Sequence, residues 1–140
     1  MDQQIFGNEV DGIQKCGIDV EGIIQLTMAG NLSKETMDTF HAWAHCVKMC
    51  MQEAHAKDPN KVLTLIDARD VQETDDEGVE ELKKLMAFNK DYATKTAVYG
   101  LNYFTRIITE MALHFTKRKN MKFFKNKEEA LEWLLDDTKK

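Results

Sequence analysis

The feature that most restricts how this chain can fold is the run Val62-Leu-Thr-Leu-Ile66, nearly continuous in apolar residues and ending at Asp67. Such a run has the pattern of a strand covered on both faces, and it predicts the centre of a sheet. Helical patterns lie on either side of it. Ser33 is a suitable N-cap for a long helix reaching Lys57 and ended by Asp58-Pro59-Asn60, with Phe40, Trp43, Val47, Met51 and Ala54 on one face. After a loop over Ala68 to Thr74, a second helix is expected from Asp75 to Tyr92, with Val79, Leu82, Leu85, Met86 and Tyr92 on or near one side.

The remaining segments fit the same scheme. Gly12 to Val20 and Gly22 to Ala29 alternate apolar and polar residues around Glu21-Gly22, which predicts a β-hairpin, and a further strand near Gln4 to Glu9 is compatible with the pattern. Thr96 to Gly100 reads as a strand. Asn102 can cap a third helix carrying Tyr103, Phe104, Ile107, Ile108, Met111 and Phe115. Met121 to Phe124 is a last short strand, and Asn126 with Glu129 three residues on caps a terminal helix, Glu128 to Asp137. Strands alternating with helices make this an α/β fold: a mixed β-sheet of about four to six strands, an N-terminal hairpin followed by parallel strands, packed with about four helices.

At 140 residues, with 43% hydrophobic and 31% charged residues, the chain has the length and balance of one globular domain. No linker, repeat or low-complexity segment divides it, so residues 1–140 are expected to form a single domain. A net charge of −5 supplies no general positive field, which argues against nucleic acid as a partner. No run approaches the roughly 18 apolar residues that span a bilayer, and no leader pattern opens the chain, so a cytoplasmic protein without integral membrane association is expected. Cys16, Cys46 and Cys50 are odd in number and fit no usual zinc spacing, which makes reduced thiols the expectation.

Three groupings could carry chemistry. His41, His45, Cys46, Cys50 and His55 share the first helix, but the histidines fall on one side and the two cysteines near the other, beside Trp43 and Val47. The two sets cannot hold one ion, so no metal or other cofactor is expected, and the reading is solvated histidines with buried thiols. The second grouping is acidic: Asp67, Asp70, Glu73, Asp75, Asp76, Glu77, Glu80 and Glu81, relieved only by Arg69, after the C-terminal end of the central strand. It could hold a hard cation or a partner. It is also what a helix start requires, because Thr74-x-x-Glu77 is a capping box and acids in a first turn are favoured by the macrodipole. The third is basic, Lys117, Arg118 and Lys119 continuing to Lys122, Lys125 and Lys127. It suits phosphate groups or an acidic partner, or simply a helix C-terminus and a guarded strand edge. Its contrast with the acidic stretch also permits self-association.

Catalytic motifs are missing from the sequence. There is no Gly-x-Ser-x-Gly, no Gly-x-x-x-x-Gly-Lys-Ser/Thr and no Gly-x-Gly-x-x-Gly, and the single serine, Ser33, serves as a cap. A non-enzyme is expected.

Two stretches carry a resemblance: Val62-Leu-Thr-Leu-Ile-Asp67-Ala-Arg-Asp-Val71 leading to Asp75-Asp-Glu-Gly78-Val79, and Phe123-Phe-Lys-Asn-Lys-Glu-Glu-Ala130-Leu-Glu-Trp133-Leu134. With the order of elements they resemble the STAS fold, specifically its SpoIIAA-like branch, also described as STAS/SEC14 domain-containing proteins. In anti-sigma factor antagonists the matching segment reads Asp-Ser-Ser-Gly-Leu, with the second serine phosphorylated. Aligned on Gly78, that position is Glu77, which has no hydroxyl and carries one charge where a phosphoserine carries roughly −1.5 to −2. The resemblance therefore implies a regulatory or protein-interaction module without the phosphorylation switch, docking a protein partner through Asp75, Asp76, Glu77, Gly78 and Glu81. Its SEC14-like side implies an alternative, a binder of a small apolar or lipid-like ligand lined by Phe104, Ile107, Ile108, Met111 and Phe115; ordinary core packing explains the same side chains.

Overall fold

The computed structural model describes residues 2–100 and 120–136. In chain order it contains β1 (Gln4–Asn8), β2 (Gly12–Ile18), β3 (Ile24–Leu32), a 3-10 turn (Lys34–Thr36), α1 (Met37–Lys57), β4 (Leu63–Thr74), α2 (Asp76–Tyr92), β5 (Lys95–Tyr99), β6 (Met121–Phe124) and α3 (Lys127–Leu135). The six strands form one sheet in sequence order. β1, β2 and β3 are antiparallel neighbours, whereas β3 to β6 run parallel. This is the mixed α/β sheet expected, with a hairpin leading into parallel strands. The helix expected over Asn102 to Phe115 falls outside the described residues.

The central run behaves as its composition requires. Leu63 and Leu65 turn toward α3, where Ala130, Trp133 and Leu134 pack with Ile23, Ala97 and Tyr99. Val62, Ile66, Ala68 and Val71 turn the other way, into a larger core shared by α1, α2 and the inward residues of β2 and β3. α1 buries Phe40, Trp43, Val47, Met51 and Ala54 as its stripe predicts, and Cys46 and Cys50 beside them. At about 1.5–3 kcal/mol for each large apolar side chain removed from water, this helix is a main contributor to the fold.

α1 begins at Met37 with Thr36 at its N-cap, Ser33 preceding the 3-10 turn instead, and two further boundaries differ from the sequence reading. Val20 belongs to the turn and is 103% exposed, because Asp19 folds that turn: its Oδ1 accepts the N–H groups of Glu21 and Ile23, both at 2.9 Å, and Gly22 supplies a φ of 85°. The second concerns Ala68 to Thr74, expected as a loop and found as the continuation of β4. Along β3 the partners advance from Thr27 to Ala29 while β4 advances from Asp67 to Asp70, and again from Gly30 to Leu32 against Val71 to Thr74. β4 thus carries one extra residue at each of two β-bulges, which break the period of two.

α3 is held at its far end by Lys95. This buried lysine donates from Nζ to the carbonyl of Trp133 at 2.9 Å and that of Asp136 at 2.6 Å, and lies 5.0 Å from the Trp133 ring centroid. A cation at a helix C-terminus complements the negative end of the helix dipole. Lys122, from β6, approaches the same ring at 5.5 Å.

Candidate functional site

Of the acidic residues singled out in the sequence, those from Glu73 to Glu81 lie where β3 and β4 end and α2 begins. Asp75 organises the junction. Its backbone N–H bonds the Leu32 carbonyl at 3.1 Å, its Oδ1 accepts the Gly78 N–H at 2.8 Å, and its Oδ2 accepts the Lys34 N–H at 2.9 Å. One carboxylate therefore caps α2 and ties it to the 3-10 turn before α1. The N–H groups of Gly78 and Lys34 hold this carboxyl below the usual carboxylate range. The cap is Asp75, not Thr74: β4 extends through Thr74, whose hydroxyl is buried without a hydrogen-bond partner among the described residues.

Gly78 is buried against the end of β3, where a Cβ would stand 2.2 Å from the Leu32 carbonyl oxygen. Glycine here is a condition of the close approach between α2 and the sheet. Glu81 sits one turn further, bonded to Lys84 Nζ at 3.1 Å and facing His41 Nε2 of α1 at 3.3 Å. Lys84 foremost, with His41 adding, holds the Glu81 carboxyl below its ordinary value against the opposing effect of burial. Of the five residues expected to dock a partner, three thus have structural duties. Asp76 and Glu77 are exposed on the first turn of α2 and make no side-chain bond among the described residues. The alternative lining, Phe104, Ile107, Ile108, Met111 and Phe115, lies outside those residues.

A second polar cluster stands in the middle of β4, beside the C-terminal end of β5. Arg69 grips Asp67 with both arms, Nε to Oδ1 at 3.0 Å and Nη2 to Oδ2 at 2.8 Å, and its guanidinium lies 5.5 Å from the Tyr99 ring centroid. Burial pushes the Asp67 carboxyl up, but these bonds outweigh it and hold the group below its ordinary value. Tyr99 is pushed up to about 12 by burial and by the neighbouring Asp67 charge. Asp67, Arg69 and Asp70 also line a cleft of about 540 Å³ with Lys15 and Gln72. The sequence signal for this pair was the lone basic residue in an acidic stretch, two positions from Asp67.

A pH prediction follows from the pair. The unfolded carboxyl titrates near 3.9, above the folded value, so the Asp67 contribution is fully present above that pH and is lost as pH falls through the folded value. Thermal melts from about pH 6 down to 2 should show a shallower acid decline in Arg69→Ala than in the wild type. Identical acid limbs would count against the pair.

Sequence reasoning also missed a meeting of thiols. Cys46 and Cys50 are one turn apart on the buried face of α1, and β2 presents Cys16 opposite them, so that all three sulfurs lie within 4.8 Å of one another. His41 and His45, by contrast, are exposed, and His55 packs edge-on to Tyr92 at 5.3 Å. The available signal was the four-residue spacing of Cys46 and Cys50 together with an inward Cys16.

The described residues include no helix long and apolar enough to cross a membrane. A family description of SpoIIAA-like proteins matches residues 23–135. None of the curated proteins compared matches the chain. Among solved structures, an uncharacterised protein of the DUF3478 family with a SpoIIAA-like fold, from Shewanella loihica PV-4, superposes with a TM-score of 0.56 at 19% identity, over 94% of this chain and 93% of that one. The structure of SLC26A9 superposes with a TM-score of 0.56 at 13% identity, over 96% of this chain and 24% of that one. At these identities the likeness is one of fold. Together with the hairpin, the parallel strands and the capped α2 following the central strand, the match over residues 23–135 places this chain in the SpoIIAA-like family.

Proposed function

We propose that this protein is a non-catalytic STAS-type regulatory module of the cytoplasm that docks a protein partner through the first turn of α2. STAS-type folds are in general non-catalytic, and many serve as interaction modules. The observation that carries the reading is the division of labour at the start of α2. Asp75 clamps the turn to Lys34 and Gly78, whereas Asp76 and Glu77 are left exposed on a rigid support. A preorganised acidic pair loses little conformational entropy on binding and favours a basic surface on the partner. Glu77 has no hydroxyl, so docking here is constitutive and not released by phosphorylation at that position. Three buried thiols outside any disulfide accord with a reducing compartment.

The test is capture from a lysate of the native host. The wild-type protein is expected to retain a protein that Glu77→Lys and the double variant Asp76→Lys/Glu77→Lys lose, while Glu128→Lys, on α3, retains it. Circular dichroism should be the same for all four proteins. Equal recovery by the α2 variants would overturn the reading.

A further inference from the structure

We propose that Cys16, Cys46 and Cys50 form a three-sulfur binding site for a trivalent thiophilic metalloid, of which arsenic(III) is the type. The geometry comes first. Cys16 Sγ is 3.6 Å from Cys50 Sγ, Cys46 Sγ is 3.9 Å from the Cys16 carbonyl oxygen, and no pair of sulfurs is more than 4.8 Å apart. A trivalent arsenic carries a lone pair and sits above the plane of its three sulfurs, so with bonds of about 2.3 Å it holds them closer than the roughly 4 Å of a planar centre. The 3.6 Å between Cys16 and Cys50 already suits that spacing, and Cys46 lies within 4.8 Å of both, so its approach is the movement that closing the site requires.

The identity of the guest follows from charge and ligand number. The three cysteines are 0%, 4% and 0% exposed and belong to one apolar core with Ile24, Leu26, Trp43 and Val47. No histidine or carboxylate joins them among the described residues. Zinc in a closed site takes four ligands, and with three thiolates it would leave a net charge in this core, where unpaired charge is costly. A trivalent centre with three thiolates is neutral and complete at three ligands. Arsenous acid reacts with the thiols directly: three As–O bonds and three S–H bonds break, three As–S bonds form, and each thiol proton leaves in one of three water molecules. No electrons are transferred, and neutral arsenous acid can enter through local opening of the α1–β2 contact.

The experiment adds arsenite, zinc or cadmium separately to the reduced full-length protein. Native mass spectrometry should show one arsenic per chain, arsenite should raise the melting temperature more than either divalent ion, and X-ray absorption should show three sulfur neighbours and no oxygen. Cys46→Ala, which removes one ligand with little loss of volume, should weaken arsenite binding at least tenfold. Mixed sulfur and oxygen coordination in the wild type, several arsenic atoms per chain, tighter binding of zinc, or no binding would each overturn the proposal, whatever the stability of the variant. So would a Cys16–Cys50 disulfide in protein isolated without reductant under anaerobic conditions.

Discussion

Trp43→Ala is expected to lower the unfolding free energy by about 3–5 kcal/mol, a large part of the 5–15 kcal/mol that holds a typical domain together. Trp43 is 1% exposed, packs against Phe40 with ring centroids 5.7 Å apart, and donates from Nε1 to the Lys15 carbonyl at 2.9 Å. It thus fills the space between α1 and β2 and also satisfies a strand carbonyl turned toward the helix. The two effects can be separated. Trp43→Phe keeps most of the apolar surface but leaves that carbonyl without its partner, so it should cost less than alanine, about 1–3 kcal/mol. Urea denaturation at constant m-value checks both; a loss under 1 kcal/mol for alanine would show that α1 is not anchored as described.

Gly78→Ala should be destabilising by about 1–3 kcal/mol, and the sign is the informative part. In an unconstrained helix the same change is favourable by roughly 1 kcal/mol, because alanine is the better helix former. Here the new Cβ would meet the Leu32 carbonyl oxygen at 2.2 Å and Thr74 Cγ2 at 2.9 Å, so α2 must retreat from the end of β3. Retreat strains the Asp75 bonds to Gly78 and Lys34, and with them the presentation of Asp76 and Glu77. The variant should therefore lose stability and partner recovery together, whereas Glu77→Lys loses recovery alone. A stabilised Gly78→Ala protein would mean that the close approach does not govern this junction.

Much of the architecture was legible because its signals are local. The period of the α1 stripe, the unbroken apolar run of β4 and the Asn126 cap, whose Oδ1 accepts the Glu129 N–H at 2.9 Å, each depend on neighbours within a few residues. What escaped depends on pairing across the fold. Ala68 and Val71 both face the core yet are three apart, an interval that neither strand nor loop patterns explain until the bulges against β3 are known. Extension of β4 then moved the helix cap from Thr74 to Asp75. The carboxylate pair of Asp67 with Arg69 and the convergence of Cys16 on Cys46 and Cys50 have the same origin, since sequence spacing is silent on which strand residue a helix will face. At the candidate site the structure divides the residues singled out in the sequence: Gly78 and Asp75 tie α2 to the end of β3, and Asp76 with Glu77 are exposed.

The most direct test of the docking surface is site-specific photo-crosslinking inside the native host, with a photoreactive amino acid placed at position 77 and, for comparison, at position 128 on α3. A discrete heteromeric adduct from position 77 that is missing from position 128 is the expected result. No adduct from position 77, or the same adduct from both positions, would contradict docking through the first turn of α2.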